Sequence, residues 1–377
     1  MKLYEIENIA NINYGTRVVK KRDSGTIYDV YGGGGKTFKV DSFNRESCVI
    51  VSRFGMSEEC VRKVDGKFFL NDSGLSVETK DSNVVIQKYI DWFLFSKMYD
   101  IYLLGRGAAQ KNLDVDKFRL IKIPVPSLEE QEKIVEKLDK IFGKIDHDIS
   151  NYKNRLIEIG KLFNSTFHST FANTGDEHKE FFLEDCIKHQ RGFTFKKSDV
   201  VDYSDLKVLR SNNIDYEKYS FIKNDFLYLN PKIQIEDKYF TEKNDIIVCM
   251  STGSRKHLGK VAIIEENTDY VVGGFLGKIT ANLEILDPKY LYYFLINPKI
   301  KKIIHDSVIS MTINNLRKDI LNKLLIPVPN IREQKKIVEN LDKFFDKMTN
   351  LTQNYEKIIA NFNDLKKSIL SKEFSYE

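Results

Sequence analysis

Between residues 128 and 166 the apolar side chains keep an unbroken three-four spacing. Leu128, Val135, Leu138, Phe142, Ile145, Ile149, Tyr152, Leu156, Ile159 and Phe163 hold it, with Gln131 and Thr166 filling the other positions. A stripe of that period is a coiled-coil seam rather than the broader face of a globular helix. It predicts one helix from Ser127 to Ala172, about 69 Å long at 1.5 Å per residue. Pro126 stops what precedes it, and Ser127 with Glu130 suits a capping box. Gly143 and Gly160 weaken such a helix by about 1 kcal/mol each where exposed, so packing has to support it. A second stripe passes through Ile331, Gln334, Val338, Leu341, Phe345 and Met348 in the same phase, after Pro329 and a weaker cap at Asn330 with Glu333. Past Met348 the apolar positions Leu351, Tyr355, Ile358, Phe362, Leu365 and Ile369 imply a three-residue slip of phase. Strict continuation puts Thr352 and Lys366 in the seam instead.

The two stripes are copies. "IPVPSLEEQEKIVEKLDKIFGKID" from Ile123 and "IPVPNIREQKKIVENLDKFFDKMT" from Ile326 agree at 15 of 24 positions. Upstream, "KYIDWFLFS" at Lys88 matches "KYLYYFLIN" at Lys289, and Asn112-Leu113 align with Asn315-Leu316. The remaining sequence diverges. In each half it holds short strand-like runs and one amphipathic helix: Ser47–Val51, Lys67–Leu70 and Leu75–Val77 with a helix near Val84–Met98, then Asp245–Met250, Lys260–Ile264 and Lys278–Ala281 with a helix near Pro288–Asp306. The expected fold is α+β. Two α/β domains, 1–122 and 175–325, are separated by long helices at 123–174 and 326–377, as a pseudo-twofold internal repeat. The helices pair antiparallel within the chain; an intermolecular coiled coil is the alternative.

At 377 residues with 42% hydrophobic content, two or three domains with real cores are possible. A net charge of +5 is compatible with a nucleic-acid partner without requiring one. Cys48, Cys60, Cys186 and Cys249 form no C-x-x-C pair and no cluster with histidine, which reads as reduced thiols in a cytoplasmic protein and no zinc site. No apolar leader and no run of 18 apolar residues occurs, so neither secretion by a leader nor a membrane span is expected. "VYGGGGKTF" offers Gly35, Lys36 and Thr37 in the order of a phosphate-binding loop. The first glycine of that motif falls on Val30, and an alternating run follows where a helix is needed. No adjacent prolines, and so no methyltransferase catalytic tetrad, are present, nor any G-x-S-x-G or H-E-x-x-H motif. The chain reads as a recognition protein with no catalytic or metal site.

The duplicated "IPVP…EQ…I" segments, with "GAAQKNLDVDKFRLIK" and "SMTINNLRKDILNKLL" leading into them, resemble the specificity subunit of Type I restriction–modification systems. "LKVLRSNNID", "NDIIVCMSTGS" and "LGKVAII" in the second half, and "VYGGGG" in the first, fit the same family, so the resemblance covers the whole chain. It implies two target recognition domains, each reading one half of a bipartite, asymmetric sequence in double-stranded DNA. The helices set the unspecified spacer and dock two methyltransferase subunits; restriction subunits complete the assembly. On this resemblance the chain is a non-catalytic part of a DNA adenine methyltransferase and ATP-dependent endonuclease. S-adenosylmethionine, ATP and Mg belong to the partner subunits, and no cofactor binds here. Three other readings stand beside it: a recognition subunit of a methyltransferase-only system, a coiled-coil scaffold that binds protein alone, and an NTPase built on Gly32–Thr37.

Base edges are read by Arg, Lys, Asn and Gln, while phosphates need charge and backbone N–H. Candidate DNA contacts in the first half are Arg17, Lys20, Lys21, Arg22, Gly33, Gly34, Lys36, Arg53, Arg106, Gln110 and Lys111. In the second half they are Arg191, Lys196, Lys197, Arg210, Asn212, Asn213, Arg255, Lys256, His257, Asn314 and Asn315, with Ser254 beside them. Gln131 and Gln334, at equivalent seam positions, are expected to set register rather than touch DNA.

Overall fold

The computed structural model describes residues 2–108, 110–172, 179–215, 220–254, 257–307 and 314–375. It divides into two compact units, Met1–Asn154 with Tyr355–Glu377, and Arg155–Asn354. The two stripes form helices Leu128–Ala172 and Ile331–Glu373, so each long helix contributes residues to both units.

The first unit is built on a six-stranded sheet in the order Ala10–Tyr14, Gly74–Thr79, Arg45–Ser52, Val61–Leu70, Tyr28–Gly32 and Gly35–Val40. Neighbours are antiparallel except where Tyr28–Gly32 runs parallel to Val61–Leu70. Helix Gln87–Ser96 turns Tyr89, Ile90, Phe93 and Leu94 into the core. Val135, Leu138 and Phe142 of the first long helix, and Leu370 and Phe374 from the end of the second, complete that core. The N-terminal strand Lys2–Glu5 pairs antiparallel with Lys122–Val125, so "IPV" is sheet before it leads into helix.

The second unit repeats this frame. Its main sheet has the order Ile187–Arg191, Leu276–Ala281, Ile246–Cys249 and Val261–Ile263, all antiparallel. These correspond strand for strand to the first four of the other sheet. Lys179–Phe182 pairs with Leu325–Val328 as Lys2–Glu5 pairs with Lys122–Val125. The halves differ in what is inserted. The first carries the Tyr28–Val40 hairpin, and the second a separate small sheet of Val200–Val201, Leu227–Leu229, Lys207–Leu209 and Val271–Val272. The single helix expected over Pro288–Asp306 is two, Pro288–Ile296 and Pro298–Asp306. Pro298 has no N–H to continue the first, and the Asn297 side chain caps the second through Lys299 N.

Each long helix is seated by a duplicated set of contacts. Gln131 is fully buried; its Oε1 accepts from Ile86 N at 3.0 Å, and its Nε2 donates to Val84 O and Pro126 O, each at 3.0 Å. Gln334, equally buried, accepts from Asp287 N at 2.8 Å and donates to Ile285 O and Pro329 O. Tyr89 and Tyr290 donate to Pro124 O and Pro327 O. Lys88 and Trp92 reach Asp139, and Lys289 and Tyr293 reach Asp342. Ser127 and Glu130 form a full capping box, whereas Asn330 only accepts from Glu333 N.

Within each unit the long helices pair antiparallel. In the first, Lys137 meets Glu373, Asp146 meets Lys366, and Tyr152 lies 5.3 Å from Tyr355 between ring centres. In the second, Phe163 meets Phe345 at 5.0 Å. The expected slip after Met348 is absent. Leu351 and Leu365 are exposed, while Thr352 and Lys366 turn inward. Lys366 tolerates a seam position because its aliphatic stem packs there while its ammonium reaches the Asp146 carboxylate at 2.5 Å, 5.2 Å from the Phe142 ring centre.

Truncating Gln131 or Gln334 to alanine strands a buried backbone N–H and two carbonyls. The expected loss is about 1–3 kcal/mol, read as a lowered denaturation midpoint. A shift no larger than that of an exposed Lys→Ala control would sink the idea that these amides seat the helices. His189, on strand Ile187–Arg191, gives a pH-dependent case. Neither ring nitrogen has a hydrogen-bond partner. Burial first, then the charges of Lys318 and Arg191, lower the imidazole to about 4. The unfolded chain takes up that proton near 6.5, so the stability gained is full above that pH and is lost as pH falls toward 4. The His189→Leu variant should show a flatter midpoint-against-pH curve over that window.

Candidate nucleic-acid interface

Seven of the first unit's candidates, Gly33, Gly34, Lys36, Arg53, Arg106, Gln110 and Lys111, converge at one end of its sheet. Gly32 pairs with Gly35 across a two-residue turn, so the glycine run closes a β-hairpin between strands, and no helix follows it. Gly35 has φ +100°, which favours glycine. The tip is pinned inward: Gly33 N donates to Ser73 Oγ at 2.9 Å, and Gly33 O accepts from Ser52 Oγ and Arg62 Nη1. Lys36 lies on the hairpin bound to Asp29 at 2.7 Å, which holds its pKa above the usual lysine value. Beside the tip, Leu113 N donates to Arg53 O, and Phe54 bridges to Asn112. The Arg53 guanidinium lies 4.9 Å from the Tyr14 ring centre and 4.4 Å from that of Phe54, with Nη1 on Asp72 O. Lys111 Nζ sits 3.8 Å over Tyr102. Arg106 pairs with the buried Asp114 carboxylate. Exposed Gln110 approaches Gly55.

Arg17, Lys20, Lys21 and Arg22 lie outside that cluster, on the exposed segment leaving Gly15. Lys20–Asp23 forms one helical turn, and Arg22 is held by Asp23. Aromatic supports such as Tyr14, Phe54 and Tyr102 escaped the sequence reading, although the adjacent Arg53-Phe54 pair signals one of them.

The same end of the second unit has the same backbone plan. Leu316 N donates to Met250 O as Leu113 N does to Arg53 O. Met250 N and Ser251 N donate to Phe275 O as Arg53 N and Phe54 N do to Ser73 O. Ser251–Thr252 pairs with Asn314–Asn315, and exposed Asn315 stands opposite Ser251. His257 N donates to Ser254 O. Arg191 is exposed at a strand end, and Lys196 and Lys197 on a short turn. Arg210 and Asn212 converge on Asp225, whereas Asn213 is fully buried with its amide holding Arg210 N, Ile222 O and Asn224 O. Arg255 and Lys256 lie outside the described residues.

Among the described residues no group of three or more His, Cys, Asp or Glu is placed to hold a metal ion. None of their helices is long and apolar enough to cross a membrane. All four cysteines are free thiols; burial pushes Cys60 and Cys249 up to about 11.

A duplicated frame with equivalent ends that carry different side chains is the design of a protein that makes two different contacts with one architecture. The family model for the Type I restriction modification DNA specificity domain matches residues 1–158 and 175–360. The chain belongs to that family. It is 24% identical over 307 residues to the specificity subunit of the Type I restriction enzyme MjaVIII from Methanocaldococcus jannaschii, covering 73% of this chain and 68% of the relative. To the EcoKI specificity subunit of Escherichia coli it is 23% identical over 322 residues, covering 79% and 67%. A chain solved in work on complex assembly and conformational transition of the type I R-M system shares the fold, with a TM-score of 0.74 at 16% identity over 99% of this chain and 97% of that one. The HsdS subunit from Thermoanaerobacter tengcongensis aligns at 0.51 and 14%, over 99% and 96%.

The hairpin tip distinguishes its two central glycines. A Cβ on Gly33 stands 2.1 Å from Phe54 O, while one on Gly34 meets nothing within 4 Å. Gly33→Ala should therefore cost about 1–3 kcal/mol by overpacking, and Gly34→Ala no more than about 0.5 kcal/mol. Equal denaturation midpoints for the two variants would mean the tip is not pinned.

Proposed function

We propose that this chain is the DNA-recognition subunit of a Type I restriction–modification system, with each unit reading one half of a bipartite target in double-stranded DNA. One observation carries the reading: the family match covers both halves, and each half ends in an equivalent surface with its own side chains. Arg53 suits base readout, because two aromatic rings and a carbonyl fix its guanidinium before any DNA arrives. Gln110 and Asn315 supply exposed amides for the same work. Arg17, Lys20, Lys21, Lys196 and Lys197 supply phosphate contacts, which add affinity and salt dependence without sequence information.

The catalytic groups reside in partners. Two methyltransferase subunits dock on the long helices, which also set the unspecified spacer, and restriction subunits supply the ATP-dependent nuclease. S-adenosylmethionine, ATP and Mg bind in those subunits, and the assembly works in the cytoplasm. Family membership and the resemblance of the duplicated "IPVP…EQ…I" segments support these points.

The test is methylation mapping after co-expression with the methyltransferase subunit. A split motif is expected, and replacing residues 1–122 by the corresponding region of a relative should change one half of it. A change in both halves would mean that the units read DNA jointly. No motif in the unaltered complex would overturn the functional reading itself.

A further inference from the structure

We propose that Phe275 is a specificity-determining residue that reads the methyl group of a thymine in the half-target of the second unit; the inference rests on the DNA-recognition reading above. Phe275 is 70% exposed and lies outside the hydrophobic clusters of its unit. Its backbone, by contrast, is fixed. Phe275 O accepts from Met250 N at 2.9 Å and Ser251 N at 3.0 Å, and Leu276 N closes the turn onto Gly273 O at 2.8 Å. The turn is also wedged from beneath: a Cβ on Gly192 stands 2.1 Å from Gly273 O, and one on Gly273 2.6 Å from Leu209 O. A rigid backbone therefore holds the phenyl ring out in solvent, where it adds little to folding.

Its place in the duplicated frame gives the ring a purpose. The equivalent position in the first unit is Ser73, whose hydroxyl binds the tip of the glycine hairpin. One unit covers this spot with backbone and the other presents a bare ring. Beside the ring's backbone, the pairing of Ser251–Thr252 with Asn314–Asn315 places half-buried Thr252 and exposed Asn315, while Ser251 is itself buried. In the major groove, thymine presents an apolar methyl beside the O4 acceptor, and phenylalanine is a fitting partner for that methyl. An apolar ring beside one hydroxyl and one amide matches that pair of groups.

The test uses the full chain with its methyltransferase partner. Phe275→Ala should keep the parent's melting temperature and relax the methylated motif at a single A·T pair, in the half unaffected by exchanging residues 1–122. Replacing that thymine by uracil, which lacks the methyl, should weaken duplex binding about fourfold, the worth of one buried methyl. The same replacement should cost the Phe275→Ala complex nothing. An unchanged motif overturns the proposal, as does an equal loss on all duplexes. A 2-aminopurine reporter that brightens only with Phe275 present would show a ring wedged between base pairs instead, and would also overturn it. A parent complex that yields no motif overturns both this inference and the reading beneath it.

Discussion

A buried glutamine amide at the first turn of each long helix ties three backbone segments of its unit together. An amide in a core has to satisfy both its oxygen and its nitrogen or cost the fold heavily. Gln131 does so through Ile86, Val84 and Pro126, and Gln334 through Asp287, Ile285 and Pro329. Those partners are backbone groups, so the amide fixes where the chain passes and not merely which side chains touch. The helix start, the connector into the domain helix and the "IPV" strand are thereby fixed together. Leucine in the same place would fill the seam but leave the connector free to slide.

With the base of each unit fixed in the same way, the units differ in what they carry at the far end of the sheet. The strand order and the backbone bonds at that end repeat: Leu113 on Arg53 and Leu316 on Met250, Ser73 under Phe54 and Phe275 under Ser251. What differs is the side chain on each repeated position and the segment inserted between strands. A stacked arginine and a glycine hairpin mark one surface, and an exposed ring beside a hydroxyl and an amide the other. Specificity can then change without disturbing the core.

The long helices were legible because a three-four spacing reports burial directly, and Val135, Leu138, Phe142, Ile145 and Ile149 are all buried as that spacing requires. Hydropathy misleads where burial and polarity part company. Lys366 sits in the seam by its stem and Leu365 faces out, which hydropathy alone reverses. The helix break at Asn297-Pro298 was written in the sequence as a cap followed by proline, and was overridden by the apolar run across it. The duplication of the two sheets was hidden, because insertions of unequal length shift the spacing between equivalent residues and their side chains differ. Residue type pointed to the recognition ends as regions. It did not distinguish Asn213, consumed inside its own loop, from Asn315, which faces outward.

The first unit draws its core from both ends of the chain. Tyr89 and Phe93 pack on Phe374, and Leu370 joins the same cluster. During synthesis on a ribosome this core has Val135, Leu138 and Phe142 of the first long helix but stays incomplete while the whole second unit is made, until the last turns of Ile331–Glu373 arrive. The entropy of closing so long a loop grows only slowly, by about 0.6 kcal/mol per doubling of its length. The cost is therefore one of time more than of stability. For that interval Tyr89 and Phe93 lack their Phe374 partner, and a ribosome that stops early releases a first unit without this last part of its core.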